Sequence, residues 1–333
     1  MKLSPIIIFF LSLLASLLVL VIERLVGIDM YFHPDALTYL QTSGMIVRLI
    51  EINGFMNALN NGYYIMVWAL NYNPTLLISI NIFLFCLTNM ILYAAYEKLS
   101  AVPGLFRSNS TFLFLLVILN PYRLHISSHI LKDTVIIFFY IAAVCSIVAG
   151  GRFAYAKYIA PLLVFRLVSA LYFVVFLNRK LLYATIVIGL IIAVIFGDLL
   201  TERLLELNDT ELSFREFDNV PTFKNLGIIG VVIRALVWPL FVLSGAYLVI
   251  SPAVLYIPLA VGVALLQIWS FVSFRRPAIT LEAYTVLGLL SVLAPGFVSY
   301  NRYCLPVVVA MPILVMIREY ISLKQKQEKL LYA

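Results

Sequence analysis

The chain has 333 residues, of which 63% are hydrophobic and 12% are charged, and its formal net charge is +7. Soluble globular proteins are about 45–50% apolar and about 25% charged, so the composition excludes an ordinary soluble domain. The mean hydropathy of +1.04 instead indicates one polytopic membrane domain over residues 1–333. The excess of basic residues is therefore interpreted as a signal of membrane topology rather than of nucleic-acid binding.

The apolar segments predict an all-α helix bundle of about nine or ten membrane segments, because one span takes about 20 apolar residues. The first segment, 5–22, is followed by Glu23-Arg24 without a small-residue cleavage site, so we expect a permanent anchor rather than a signal peptide. Two segments, 158–177 and 226–250, are either single spans or re-entrant pairs of short helices. The other predicted spans are 75–96, 110–126, 134–150, 181–199, 252–274, 278–297 and 304–320.

The distribution of charge favours the re-entrant alternative. With both ambiguous segments re-entrant and the N-terminus cytoplasmic, the cytoplasmic side holds most of the Lys and Arg residues but few acidic ones, as the positive-inside rule requires. The C-terminus is then cytoplasmic as well. The predicted outer loops are 23–74, 120–133, 200–225 and 298–303. Within the first of them, residues 35–49 predict an interfacial helix.

Two acidic residues follow the first span in the sequence GIDMYFHPDALTYL, namely Asp29 and Asp35. Asp35 comes directly after Pro34 and opens a helix-like run. It therefore either caps that helix or acts as a catalytic or substrate-orienting carboxylate. Tyr39 lies one helical turn later and can share the face of Asp35.

The stretch NPYRLHISSHILKD, residues 120–133, places several polar side chains between two apolar runs. His125, His129, Lys132 and Asp133 fall at i, i+4, i+7 and i+8, which is one stripe if the whole stretch is helical. The stripe either meets water at the interface or contacts an anionic substrate group. Two histidines at i, i+4 can bind zinc, but the glutamate of HExxH is absent and only Asp133 offers a third ligand nearby. We therefore expect no metal site.

Further arginines lie in or next to apolar runs. Arg166 and Arg234 interrupt such runs, and Arg302 lies in SYNRYCLPVVVAMP before the last predicted span. A charge within a span costs from about 2.5 kcal/mol upward, so such residues are usually paired or functional. Several arginines around one cavity suit a diphosphate, because guanidinium groups match phosphate oxygens. No Walker A, GxGxxG or GxSxG pattern is present, and the three cysteines are far apart.

Three of these motifs together resemble the polytopic repeat-unit polymerases of bacterial O-antigen and exopolysaccharide pathways. They are HPDALTYL in a long first outer loop, a central NP…S…LKD segment that opens a span, and NRYxLPxxxxxP before the final span. The layout is also similar, more distantly, to membrane glycosyltransferases of the GT-C type. The resemblance implies a GT-C-like helical fold in the bacterial cytoplasmic (inner) membrane.

The resemblance also implies a reaction and roles. Undecaprenyl-diphosphate-linked oligosaccharides would be polymerised into O-antigen or exopolysaccharide at the outer face of the membrane, as a step of lipopolysaccharide or polysaccharide biosynthesis. Asp35 is the first candidate for the base, His129 and His33 follow it, and Asp29 would orient the acceptor sugar. The candidate residues for diphosphate or glycan binding are Arg123, His125, Lys132, Arg166, Arg234, Arg302 and Tyr39. The partners would be the lipid-linked substrate, membrane lipids and a chain-length regulator, with no cofactor.

Two alternatives remain open. One is a GT-C transferase with a polyprenyl-monophosphate sugar donor, in which an acidic residue of the first loop would bind a divalent metal. The other is a flippase or transporter for the lipid-linked oligosaccharide. Transporters usually bind substrate near the midplane between repeats. The sequence contains no internal repeat, and its polar residues gather on one side, which favours an enzyme.

Overall fold

Every element of the described chain is helical, as the sequence predicts. A computed structural model describes residues 3–102, 118–150, 154–177, 183–184, 186–188, 191, 227–244, 284–291 and 297–331. The predicted span 252–274 and the loop 200–225 lie outside these residues, and so does most of the predicted span 181–199.

Some of the helices begin where the sequence supplies a proline after a capping residue. Three helices, α1, α4 and α5, start at a proline whose preceding Ser or Asn side chain accepts a hydrogen bond from a backbone N–H of the first turn, and proline suits that position because no intrahelical bond is lost. The bounds are α1 Pro5–Leu25, α2 Pro34–Asn53, a 3-10 turn Phe55–Ala58, α3 Gly62–Ala69, α4 Pro74–Ser100, α5 Pro121–Ser127, α6 Asp133–Gly150, α7 Ala156–Leu177, α8 Gly227–Ser244 and α9 Phe297–Leu331.

The chain divides into two compact units. The first unit comprises residues 1–170 and 309–333, and the second comprises residues 171–308. In the first unit α1 and α6 each pack against α4, α2 packs against α3, and α5 contacts α1, α4 and α6. These contacts bring the first predicted outer loop and the NPYRLHISSHILKD stretch into one body.

Within the described residues, three helices are long and apolar enough to cross a membrane, which supports membrane insertion. They are Pro5–Leu25, Pro74–Ser100 and Tyr300–Leu323, and they contain the predicted spans 5–22, 75–96 and 304–320. Two shorter apolar helices cover 133–148 and 232–242. The two ambiguous segments also form helices, α7 and α8. The backbone of α7 leaves helical geometry at Arg166, with φ −160° and ψ 96°.

Helix α1 has an apolar outer face and a partly polar inner face. Leu14 and Leu18 are among its many exposed apolar side chains, whereas Ser12, Ser16 and Glu23 are fully buried. The buried Asn89 of α4 donates from Nδ2 to the Ser12 hydroxyl over 3.0 Å. This pattern is the reverse of a soluble helix and suits a lipid-facing one, in which small and polar residues mediate helix contacts.

Three of the predicted loops contain helices in the structure, and one of these helices is α5 in the loop 120–133. The first outer loop contains α2 and α3, and the helix predicted over 35–49 is confirmed by α2. The turn predicted at 298–303 is wrong, because these residues lie inside α9. Arg302 is therefore a buried helix residue rather than a loop arginine.

Candidate functional site

The structure brings together all three histidines of the chain, His33, His125 and His129, which we call the histidine cluster. His33 precedes α2, His125 lies in α5 and His129 follows α5. One ring nitrogen from each lies within 4.8 Å of the other two, and the Nε2 atoms of His33 and His125 are 3.0 Å apart. Two of the three motif segments identified in the sequence thus meet here.

The single helical stripe predicted for His125, His129, Lys132 and Asp133 is wrong. Helix α5 ends at Ser127, and α6 begins only at Asp133. Asn81 of α4 supports the irregular stretch between them, since its Nδ2 donates to the carbonyls of His129 and Leu131 over 2.8 and 3.1 Å. Buried non-helical backbone needs such partners. His125 and His129 nevertheless remain neighbours, with ring centroids 4.4 Å apart.

A buried carboxylate that the sequence analysis did not select, Glu23, holds the cluster in place. The Nδ1–H of His125 donates to its Oε1 over 2.6 Å, and the Ser128 hydroxyl donates to its Oε2 over 2.5 Å. Glu23 is the one acidic residue of α1 and is fully buried. The sequence signal for this role was a glutamate directly after the apolar run 5–22. A charge at that position is also typical of the ordinary end of a membrane span.

Glu23→Gln should destabilise the first unit. The amide leaves one acceptor oxygen where the carboxylate has two, so either His125 or Ser128 loses its bond. A hydrogen bond to a charged group contributes about 1.5–3 kcal/mol, and we expect a loss of that size in the free energy of unfolding in mixed micelles. Glu51→Gln is the matched control, because Glu51 is exposed on α2. Equal losses in the two variants would contradict the assigned role of Glu23.

His129 is held as a neutral imidazole. Its Nδ1–H donates to the His125 carbonyl over 2.8 Å, while its Nε2 is buried without a hydrogen-bond partner. Burial lowers the pKa of His129 to about 4. The ring therefore presents a lone pair at neutral pH but is a weak base.

The cluster is shielded on one side and open on another. The ring of Phe32 lies 5.3, 5.9 and 6.1 Å from the rings of His33, His125 and His129. His33 and His125 are partly exposed, and only His129 is fully buried. Solutes can thus reach two of the three rings.

The acidic candidates lie in the adjacent connection and in α2. Asp29 is exposed, and its Oδ1 accepts the backbone N–H of Tyr31 over 2.8 Å. Asp35 is partly exposed in the first turn of α2, and the N-cap position belongs to His33. Burial raises the pKa of Tyr64, and the nearby Asp35 carboxylate adds to that rise. Tyr39 is buried against the rings of Tyr63 and Tyr64, as a core residue.

Two of the basic candidates in the first unit are engaged with protein groups. Arg123 is buried, and its Nη1 donates to Asn89 Oδ1 over 3.0 Å and to the Ile118 carbonyl over 2.6 Å. Arg166 forms a buried ion pair with Asp133, whose Oδ1 is 2.8 Å from its Nη2. Lys132, between α5 and α6, is partly exposed.

The remaining two candidates, Arg234 and Arg302, belong to the second unit. Both are buried, at 3% and 5% exposure. The guanidinium of Arg234 lies over the ring of Trp238, 4.8 Å from its centroid. That ring lies 5.2 Å from the ring of Tyr300. The second unit therefore has its own cationic and aromatic group.

Comparison with models of protein families, with curated proteins and with solved structures finds no match to this chain.

Proposed function

We propose that the protein is a membrane glycosyltransferase that polymerises oligosaccharides linked to undecaprenyl diphosphate. The polymer would be an O-antigen or exopolysaccharide, made at the outer face of the bacterial cytoplasmic membrane by a GT-C-like fold. The N- and C-termini would be cytoplasmic. A chain-length regulator is the expected protein partner.

One observation carries the proposal: the HPD segment of the first loop packs against the NP…S…LKD segment through the 3.0 Å contact of His33 and His125. These segments carry the resemblance to repeat-unit polymerases, and they are 92 residues apart in the chain. The three imidazoles meet there beside the end of α1, and the partly exposed Asp35 and Lys132 follow His33 and His129 closely in the sequence. Such a group is suited to transfer from a lipid-anchored donor.

The transfer needs a base and a stabilised leaving group. The acceptor hydroxyl oxygen forms a bond to the anomeric carbon of the donor glycan, and the bond from that carbon to the diphosphate breaks with its electron pair. The hydroxyl proton passes to Asp35, which is more accessible than the buried His129. The lipid diphosphate leaves with negative charge and requires cationic contacts.

Lys132 is the first-unit cation best suited to that contact, because it is partly exposed. Arg123 and Arg166 are buried and contact Asn89 and Asp133, respectively. We therefore assign them a role in stabilising the fold. Arg234 and Arg302 stay candidates for the diphosphate. This assignment leaves fewer basic residues as candidates for diphosphate binding than the sequence analysis selected.

A polyprenyl-monophosphate-dependent transferase is the second candidate, and the histidine cluster favours it in one respect. Such an enzyme was expected to use a divalent metal near the first loop, and three imidazole nitrogens within 4.8 Å could hold one. Activity with a purified polyprenyl-monophosphate sugar, but none with a lipid-diphosphate oligosaccharide, would select this candidate.

The test of the proposal is a deletion strain of the source bacterium. Loss of a polymerase should leave surface lipid that carries a single repeat unit, because export and ligation still operate. Loss of a flippase would leave no surface repeat units and would accumulate the intermediate at the inner face. Gel electrophoresis of extracted lipopolysaccharide or exopolysaccharide distinguishes these outcomes, and unchanged long chains would refute the proposal.

A further inference from the structure

We propose that His33, His125 and His129 bind one divalent transition-metal ion of the zinc class. The site lies where the end of α1, the start of α2 and the end of α5 meet. The proposal does not depend on the glycosyltransferase assignment, because its test measures bound metal rather than sugar transfer.

The spacing of the nitrogen atoms suits a common ion. Zinc–imidazole bonds are about 2.0–2.1 Å, so two ligands of a tetrahedral site lie about 3.3–3.4 Å apart. The Nε2 atoms of His33 and His125 are 3.0 Å apart, and one nitrogen of each of the three rings lies within 4.8 Å of the others. Binding of a tetrahedral zinc ion therefore requires side-chain rotations that bring the three nitrogens about 3.3–3.4 Å apart.

The protonation pattern also suits a metal. The Nδ1 protons of His125 and His129 are committed to Glu23 and to the His125 carbonyl. The Nε2 atoms of both rings are therefore left with lone pairs. That of His129 is buried and has no hydrogen-bond partner, which is costly unless something binds there.

Glu23 and the His125 carbonyl supply the outer support that metal-binding histidines require. A ligating imidazole usually donates its other N–H to a carboxylate or a backbone carbonyl, which fixes its tautomer and orientation. His125 has the first arrangement and His129 has the second. Ser128 completes this support, since its hydroxyl donates to the second oxygen of Glu23.

Three imidazoles and no direct carboxylate determine the class of ion. Imidazole nitrogen suits zinc, copper, nickel and iron, whereas magnesium and calcium prefer oxygen ligands. Three protein ligands leave a fourth position for water or a substrate oxygen. His33 and His125 are partly exposed, so that position is accessible from outside the cluster.

The competing explanation is a metal-free hydrogen-bond network in which His33 donates to His125 and the cluster only joins the three segments. The composition of the chain allows a clean distinction, because it contains no histidine besides these three. A protein purified through a tag without histidine has no other imidazole. Any zinc–imidazole signal must then come from this cluster.

The experiment uses the full chain in detergent, stripped with a chelator, equilibrated with zinc and freed of excess ion. Mass spectrometry of the metal should give one zinc per chain, and X-ray absorption should give three imidazole nitrogens at about 2.0–2.1 Å. We expect His33→Gln and His129→Asn each to lower zinc affinity at least 10-fold. His33→Gln is the safer variant for folding, because His33 is partly exposed.

Two controls keep the result interpretable. Cys86→Ala removes a buried thiol and should leave zinc content unchanged, and zinc should raise the apparent Tm of the wild-type chain more than that of His33→Gln. A stripped wild-type protein that takes up no zinc would overturn the proposal. Zinc affinity that is unchanged in folded His33→Gln and His129→Asn would overturn it as well.

Discussion

Arg166→Met is expected to lower the free energy of unfolding of the protein by about 3–5 kcal/mol, because it leaves the carboxylate of Asp133 buried without its guanidinium partner. Both members of this pair are almost fully buried, and their closest atoms are 2.8 Å apart. The pair ties the start of α6 to the break in α7. Unfolding in mixed micelles, followed by circular dichroism, measures the change.

A double-mutant cycle separates the ion pair from other effects. Asp133→Asn combined with Arg166→Met should cost less than the sum of the two single changes, because the second change removes the charge that the first leaves unpaired. Arg48→Met is the matched control, since Arg48 is exposed on α2, and it should fall within about 0.5 kcal/mol of the wild type. Additive single and double variants would mean that the two charges do not interact.

Asp35→Asn is expected to reduce polymer formation about 10²–10⁴-fold, the range that a general base contributes. The amide keeps the size of the side chain but cannot accept the proton of the acceptor hydroxyl. The measurement is complementation of the deletion strain, with the ratio of long-chain to single-repeat product compared at equal amounts of protein in the membrane.

Glu51→Gln is again a suitable control for that complementation, because Glu51 lies on the same helix as Asp35 but is exposed and distant in sequence from the histidine cluster. It should restore long chains fully. If Asp35→Asn restored them equally well, another group would have to be the base. The metal proposal would be unaffected, since zinc binding involves none of the atoms changed here.

The helices of the first unit were largely predictable. Long apolar runs delimit α1 and α4, and the prolines after Ser4 and Asn73 determine where these helices start. The helix predicted over 35–49 is present as α2. Such features depend on local sequence, in which apolar length and capping chemistry act over a few residues.

The histidine cluster was only half visible in the sequence. All three histidines were selected, but nothing in the sequence connected His33 with His125 and His129, because His33 and Glu23 come from segments about a hundred residues earlier. Helical spacing also suggested the wrong companions, because α5 ends at Ser127, where Asn81 of another helix supports the following backbone. A hydrogen bond from an asparagine that is distant in the chain is not reflected in the periodicity of the residues it supports.

The basic residues in apolar runs are a second case in which the sequence did not indicate the tertiary contact. Arg123 and Arg166 looked like substrate ligands because each interrupts or borders an apolar run, yet both contact protein groups in the described structure. The sequence indicates that a charged residue within an apolar segment needs a partner. It does not indicate whether that partner is a ligand or a neighbouring side chain.

The bond between Glu23 and His125 has a consequence for biosynthesis. The two residues are 102 positions apart, and a ribosome adds about 5–20 residues each second. About 5–20 s therefore pass between the synthesis of Glu23, at the end of the first membrane helix, and the synthesis of its partner His125. Until then neither His125 nor Ser128 can donate a hydrogen bond to the Glu23 carboxylate, and burying it would leave an unpaired charge, which is costly.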